Sequence, residues 1–153
     1  MQWRWHENPE QLLKQLDSVQ GQEAFDRFAL AIAESLVEDW GEQNEHGEPT
    51  HINIGVAMKI TNLVLKHLSF SPHCQNLPGL IQWLHVPWDS RTLFPLRGIW
   101  TGNPRIPSKP SQGFVKSLPQ YQELHSFMTG IARDAGIHRI LYEFWAWDKK
   151  RQV

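Results

Sequence analysis

Lys59 and Asp89 are two side chains of this sequence whose types could carry out covalent chemistry together. A lysine amine attacks an electrophilic carbon once desolvation or a nearby cation leaves it neutral. A carboxylate stabilises positive charge developing on that carbon and can activate the amine. Lys59 does not stand alone: Asn62 and Lys66 follow at spacings of three and four, so the three share one face of any helix that carries them. Arg91, Arg97, Arg105, Lys109 and Lys116 follow further along, with Asp89 the one acid between residues 49 and 122.

The stretch Ile54-Gly55-Val56-Ala57-Met58-Lys59-Ile60-Thr61-Asn62, taken with His85-Val86-Pro87-Trp88-Asp89-Ser90-Arg91, resembles the helix-hairpin-helix DNA glycosylases, particularly the 8-oxoguanine branch. In that family a Gly-Val-Gly hairpin leads into a helix bearing a catalytic lysine, and a Val-Pro-Val-Asp turn supplies an aspartate. Here Gly55-Val56-Ala57 stands in place of the hairpin, Lys59 in place of the lysine, and Val86-Pro87-Trp88-Asp89 in place of the turn. The similarity spans roughly residues 54–91. It implies excision of a damaged or modified base that is first flipped from the stack. It also implies a phosphate held at Gly55 by backbone amides, catalysis by Lys59 and Asp89, and no cofactor. Asn62, Lys66, Arg91, Arg97, Arg105, Lys109 and Lys116 would then contact nucleic acid, DNA in particular, mainly through phosphates.

Other chemistry is less well supplied. Eight histidines and a single cysteine are present, and His46, His51, His73, Cys74 and His85 match no structural zinc spacing, so no metal is expected. A lone cysteine also excludes an internal disulfide framework and suits a reducing compartment. There is no Walker loop, dinucleotide fingerprint or Gly-x-Ser-x-Gly elbow. No apolar run is long enough for a membrane span, and the polar start Met1-Gln2-Trp3-Arg4-Trp5-His6-Glu7 carries no apolar signal segment, so a cytoplasmic protein is expected.

Charge is segregated along the chain. The overall balance is −1, but residues 1–48 stand at −8, residues 49–122 at +6 and residues 123–153 at +1. Such segregation points to an electropositive face for a polyanion, unless the acidic first third pairs with the basic middle inside the fold. Of the eight tryptophans most are expected in the core, with a few available to stack on bases.

The elements that must position these residues read as helices. Asn8-Pro9-Glu10 has the form of a helix start, and a second helix over 22–40 carries Phe25, Phe28, Ala29, Ile32, Ala33, Leu36 and Val37 at three-and-four spacing. A polar loop over 41–51 precedes a third helix over 53–69, whose apolar face centres on Ala57, Ile60, Thr61, Val64 and Leu68. Residues 70–88 are irregular, with a short helix at Leu80–Leu84, and Pro95 should cut short any helix that Asp89 caps. A long basic loop rich in proline and glycine follows over 98–117. Helices over 119–135 and 138–149 complete the chain, the last with Ile140, Leu141, Phe144 and Trp145 on one face.

The expected fold is therefore all-α: a single domain over 1–153 of about five helices. Acidic helices fill 9–40, a basic middle 49–122, and C-terminal helices 119–149. Three functions fit it. One is the glycosylase chemistry above. Another is a nucleic-acid-binding module without catalysis. The third is a protein partner's docking module, such as a subunit of a bacterial defence or toxin–antitoxin assembly.

Overall fold

The computed structural model describes residues 9–39, 52–70 and 79–148, and every regular element in them is helical. In chain order these are α1 (Pro9–Asp17), α2 (Gln22–Asp39), α3 (Ile54–Ser69), α4 (Leu80–Trp83), α5 (Ser90–Leu93), α6 (Leu118–Asp134) and α7 (Ile140–Asp148). Two 3-10 turns, Phe94–Gly98 and Gln112–Phe114, lie between α5 and α6. The polar loop expected over 41–51, Trp40, and the residues His73 and Cys74 lie outside the described residues. So do Asn8, Trp3 and Trp5.

Local signals explain the boundaries. Asn53 caps α3 by accepting from the Val56 amide at 3.0 Å, and Ser117 caps α6 in the same way through the Gln120 amide. Helix α6 ends at a glycine in the left-handed region: Gly136 has φ of 66°, its amide donates to Arg133, and the next amide, of Ile137, donates to Ala132. That pair of reversed bonds is the Schellman closure, which a side chain at position 136 would strain. Pro95 ends α5 after one turn, and the chain continues as the 3-10 turn, whose three-residue bonding tolerates the missing amide.

Helix α3 is the hub. It packs along α2 and also meets α4, α6 and the Gln112–Phe114 turn. Helix α2 turns Phe25, Ala29, Ile32, Ala33 and Leu36 into the core, on the face that its spacing predicts. Helix α6 contributes Tyr121, Leu124, Met128 and Ala132. Trp88 and Trp100 are buried, whereas Trp145 and Trp147 are exposed.

Two helices face differently from the expectation. In α3 the enclosed residues are Gly55, Ala57, Met58, Thr61, Asn62 and Leu65, while Ile60, Val64 and Leu68 are only partly buried. The inward face is rotated because α6 covers a flank that amphipathicity alone assigns to solvent. In α7, Ile140, Glu143 and Ala146 point inward, and Leu141, Phe144 and Trp145 point out. This helix is apolar on nearly every side, so its periodicity selects no face. No helix among the described residues is long and apolar enough to cross a membrane.

Candidate functional site

The segment from Leu84 to Pro87 runs extended and buried through the core and delivers Asp89 to the start of α5. There Asp89 is a helix cap. Its Oδ1 accepts from the amides of Arg91 (2.8 Å) and Thr92 (3.1 Å), and the Thr92 hydroxyl accepts in return from the Asp89 amide at 2.9 Å. This reciprocal box fixes the carboxylate in one orientation. Its other oxygen, Oδ2, lies 3.7 Å from the Lys59 ammonium, which arrives from the second turn of α3. Lys59 Nζ also donates to Gln112 Oε1 at 3.0 Å. Both charged side chains are largely enclosed, at 19% and 13% exposure.

The pair lies in a cleft of about 800 Å³. One wall is α3, through Lys59, Leu63 and Lys66. A second is the start of α5 through Asp89, Ser90 and Arg91, and a third is Pro110–Gln112. Helix α7 closes the remaining side with Glu143, Phe144 and Trp147. Here a second ion pair forms: Lys66 Nζ donates to Glu143 Oε1 at 2.7 Å. The Arg91 guanidinium stacks 3.7 Å above the Trp147 ring, and Lys66 sits 5.6 Å over Phe144. Three cations and two carboxylates thus share the cleft, with aromatic faces beside them.

No family model, curated protein or solved structure matches this chain.

Of the residues singled out in the sequence, the fold brings Lys59, Lys66, Asp89 and Arg91 together. Asn62 is corrected: although it shares a face with Lys59 and Lys66, it is fully buried against α6 and donates to the Tyr121 hydroxyl at 2.8 Å, so it does not face a nucleic acid. Gly55 is also corrected. It is buried, and a Cβ there would come within 2.0 Å of the Val115 carbonyl oxygen. The glycine lets the Val115 backbone lie against the start of α3, and the buried residue offers no open surface to a phosphate. Arg97, Arg105, Lys109 and Lys116 are exposed and do not line the cleft, although Lys109 adjoins its Pro110 wall. Arg97 lies 5.4 Å over the Phe94 ring.

No local sequence pattern marks Phe144, Trp147 or Gln112 as site residues, although all three border the cleft with Glu143. One signal was present for Glu143: it is the lone acid in the Ile140–Glu143–Ala146 row of α7. Nothing in the sequence ties it to Lys66, 77 positions earlier.

A second polar cluster lies behind α3. His85 is 2% exposed, because the Leu84–Trp88 segment threads the core. Asn62 donates to the Tyr121 hydroxyl, which donates to His85 Nδ1 at 2.8 Å, and His85 Nε2 donates to Asp26 Oδ1 at 2.7 Å. His125 packs against His85 with ring centres 4.0 Å apart, and its Nε2 accepts from Arg139 at 2.7 Å. Burial, above all, depresses the basicity of both imidazoles, and the neighbouring charge of Arg139 adds to it. Asp26 is pushed upward by burial but pulled further down by its bonds from His85 and Gln22, and ends below the usual carboxylate range. Burial likewise raises the Tyr121 phenol.

Asp26, His85 and His125 bring ligand-type atoms within 4.8 Å of one another, which is the donor set of a two-histidine, one-carboxylate metal site. The hydrogen bonding opposes that use. Arginine can only donate, so His125 Nε2 is the acceptor and its proton sits on Nδ1; neither nitrogen has a lone pair to spare while Arg139 stays. The guanidinium already supplies the cation of this cluster.

Proposed function

We propose that this protein is a DNA-directed base-excision protein, with Lys59 as the attacking amine and Asp89 as its electrostatic and proton-handling partner. The observation carrying the proposal is the 3.7 Å approach of the Lys59 ammonium to Asp89 Oδ2 inside a cleft that also holds Lys66 and Arg91. The resemblance over residues 54–91 supports it independently of that distance.

The arrangement suits the chemistry. Two backbone amides hold Asp89 Oδ1, so Oδ2 is preorganised to face developing positive charge at the sugar carbon. Asp89 takes a proton from the Lys59 ammonium, and the neutral amine forms a bond to C1′ of a flipped nucleotide. The C1′–base bond breaks, its electron pair leaves with the base, and Asp89 returns the proton to that base. A proton of the new C1′-bound ammonium then moves to the ring oxygen as the C1′–O bond breaks and the sugar opens, leaving a protonated imine between Lys59 and C1′. Borohydride reduces such an imine to a stable adduct.

The test is trapping with borohydride on duplexes carrying an abasic site or one of a panel of damaged bases. The expected result is an adduct with the native chain and none with Lys59→Ala. An adduct that survives Lys59→Ala, or none on any substrate, removes the catalytic role.

A second function, binding nucleic acid without excision, is favoured by one contact. Gln112 ties the Lys59 amine at 3.0 Å, as it would tie a cation that serves only to hold a polyanion. Affinity that falls steeply with salt, together with no adduct, would identify it.

A further inference from the structure

The chemistry above uses Lys59 and Asp89 and leaves the other ion pair of the cleft without a task. Glu143 lines the cleft yet its side chain is 5% exposed, and only one of its oxygens is engaged, by Lys66. Oε2 is buried with no hydrogen-bond partner among the described residues. A buried carboxylate oxygen left unpaired is costly, and native folds keep one mainly where something else completes it.

The surroundings define what would complete it. Lys66 carries three donors and gives one to Glu143, so an acceptor of a ligand can bind directly beside the free carboxylate oxygen. The flanking rings of Phe144 and Trp147 are 46% and 43% exposed, broad enough to cover a planar group. A phosphate is the wrong occupant here, because it would face the Glu143 carboxylate. A flat ring whose edge presents an N–H next to an oxygen satisfies every group at once.

Given the nucleic-acid function proposed above, on which this step rests, we infer that Glu143 is the specificity-determining residue of the cleft. With Lys66 it reads the Watson–Crick edge of an unstacked nucleobase that carries a ring N–H beside a carbonyl. Glu143 Oε2 accepts from the ring N–H, Lys66 donates to the adjacent carbonyl oxygen, and Phe144 and Trp147 cover the face of the base.

The test compares short single-stranded oligonucleotides that differ by one methyl group: thymine against 3-methylthymine, and guanine against 1-methylguanine. Methylation deletes the ring N–H and leaves the carbonyls. Binding to the full chain is followed by tryptophan fluorescence. The native protein is expected to bind at least one methylated partner about tenfold more weakly than its parent, the usual worth of a hydrogen bond to a charged group. In Glu143→Gln the ratio should fall to less than threefold. A merely structural Glu143 would weaken both members alike and leave the ratio unchanged, which would overturn the inference.

Equal binding of both members of each pair by the native protein would also overturn it, with no variant needed should Glu143→Gln fail to fold. Trapping on an abasic duplex separates the two proposals, since it needs no base. An adduct through Lys59 without base discrimination removes Glu143 as reader and keeps the excision chemistry. Discrimination without an adduct does the reverse.

Discussion

Acid should unfold this protein earlier than its composition suggests, and the cause lies behind α3 rather than in the cleft. His85 and His125 are packed ring against ring, and Arg139 sits on the second of them. Burial holds both imidazoles below their ordinary basicity. The folded chain therefore binds fewer protons than the unfolded chain once the pH drops below the free imidazole value of about 6.5. Stability from these groups is fully present above that value and is lost as the pH falls towards the folded-state values. Each imidazole that stays neutral in the fold costs about 1.4 kcal/mol per pH unit over that range. From pH 7.5 to pH 5 His125, held down at about 2, removes about 2 kcal/mol, a large part of a typical domain's stability of about 5–15 kcal/mol, and His85 adds to the loss in the same direction. Asp26, depressed by its bonds, adds a further loss only below its ordinary value of 3.8. The assay is urea denaturation at pH 7.5, 6 and 5. His125→Gln, whose amide oxygen can still accept from Arg139, should lose about 2 kcal/mol less over that range than the native chain. A flat dependence between pH 7.5 and 5 would mean that these rings are not neutral and buried as placed.

Three further outcomes follow from the same geometry. Gly55→Ala forces a Cβ to within 2.0 Å of the Val115 carbonyl oxygen, a backbone atom, so it should destabilise by about 2 kcal/mol in urea melts although alanine favours helix; an unchanged midpoint would refute the close packing. Asp89→Asn keeps the capping oxygen and Asp89→Ala discards it, so the alanine variant should be the less stable by about 1 kcal/mol while both lose borohydride trapping. Equal stabilities would show that the cap contributes nothing. For duplex DNA, Arg91→Gln, Arg105→Gln and Lys109→Gln should each lower the slope of log affinity against log salt by about 0.9; three unaltered slopes would remove these residues as phosphate contacts.

Much of the helical order is legible in the sequence because its signals are local. Gly136 stops α6 and Pro95 stops α5 through backbone constraints that act within a few residues. The apolar row of α2 finds its face because the opposite side carries Glu23, Glu34 and Glu38. The approach of Lys59 to Asp89 is partly legible too, since a cap box at a turn and a lysine one turn into a helix each have local form. What escapes is non-local. Whether Gly55 is open or covered depends on Val115, and Asn62 acquires its partner from Tyr121, 59 positions later. His85 is hidden because Leu84–Trp88 is an extended segment laid through a helical core, and short apolar runs do not reveal their depth.

Helices α3 and α7 turn other faces inward than their periodicity predicts for one physical reason, and it bears on how the cleft is made. Helices α3 and α7 carry apolar residues around most of their circumference, so burial of apolar area changes little when either rotates about its axis. Polar groups break that near-degeneracy. Turning α3 by one face would strip Asn62 from the Tyr121 hydroxyl and bury Lys59; turning α7 would take the Glu143 carboxylate away from Lys66. Each such rotation strands a buried polar or charged group, at about 1–3 kcal/mol or more apiece. A few buried polar contacts therefore set the phase of both helices, and that phase is what places one ammonium beside Asp89 and another beside Glu143 in a common cleft.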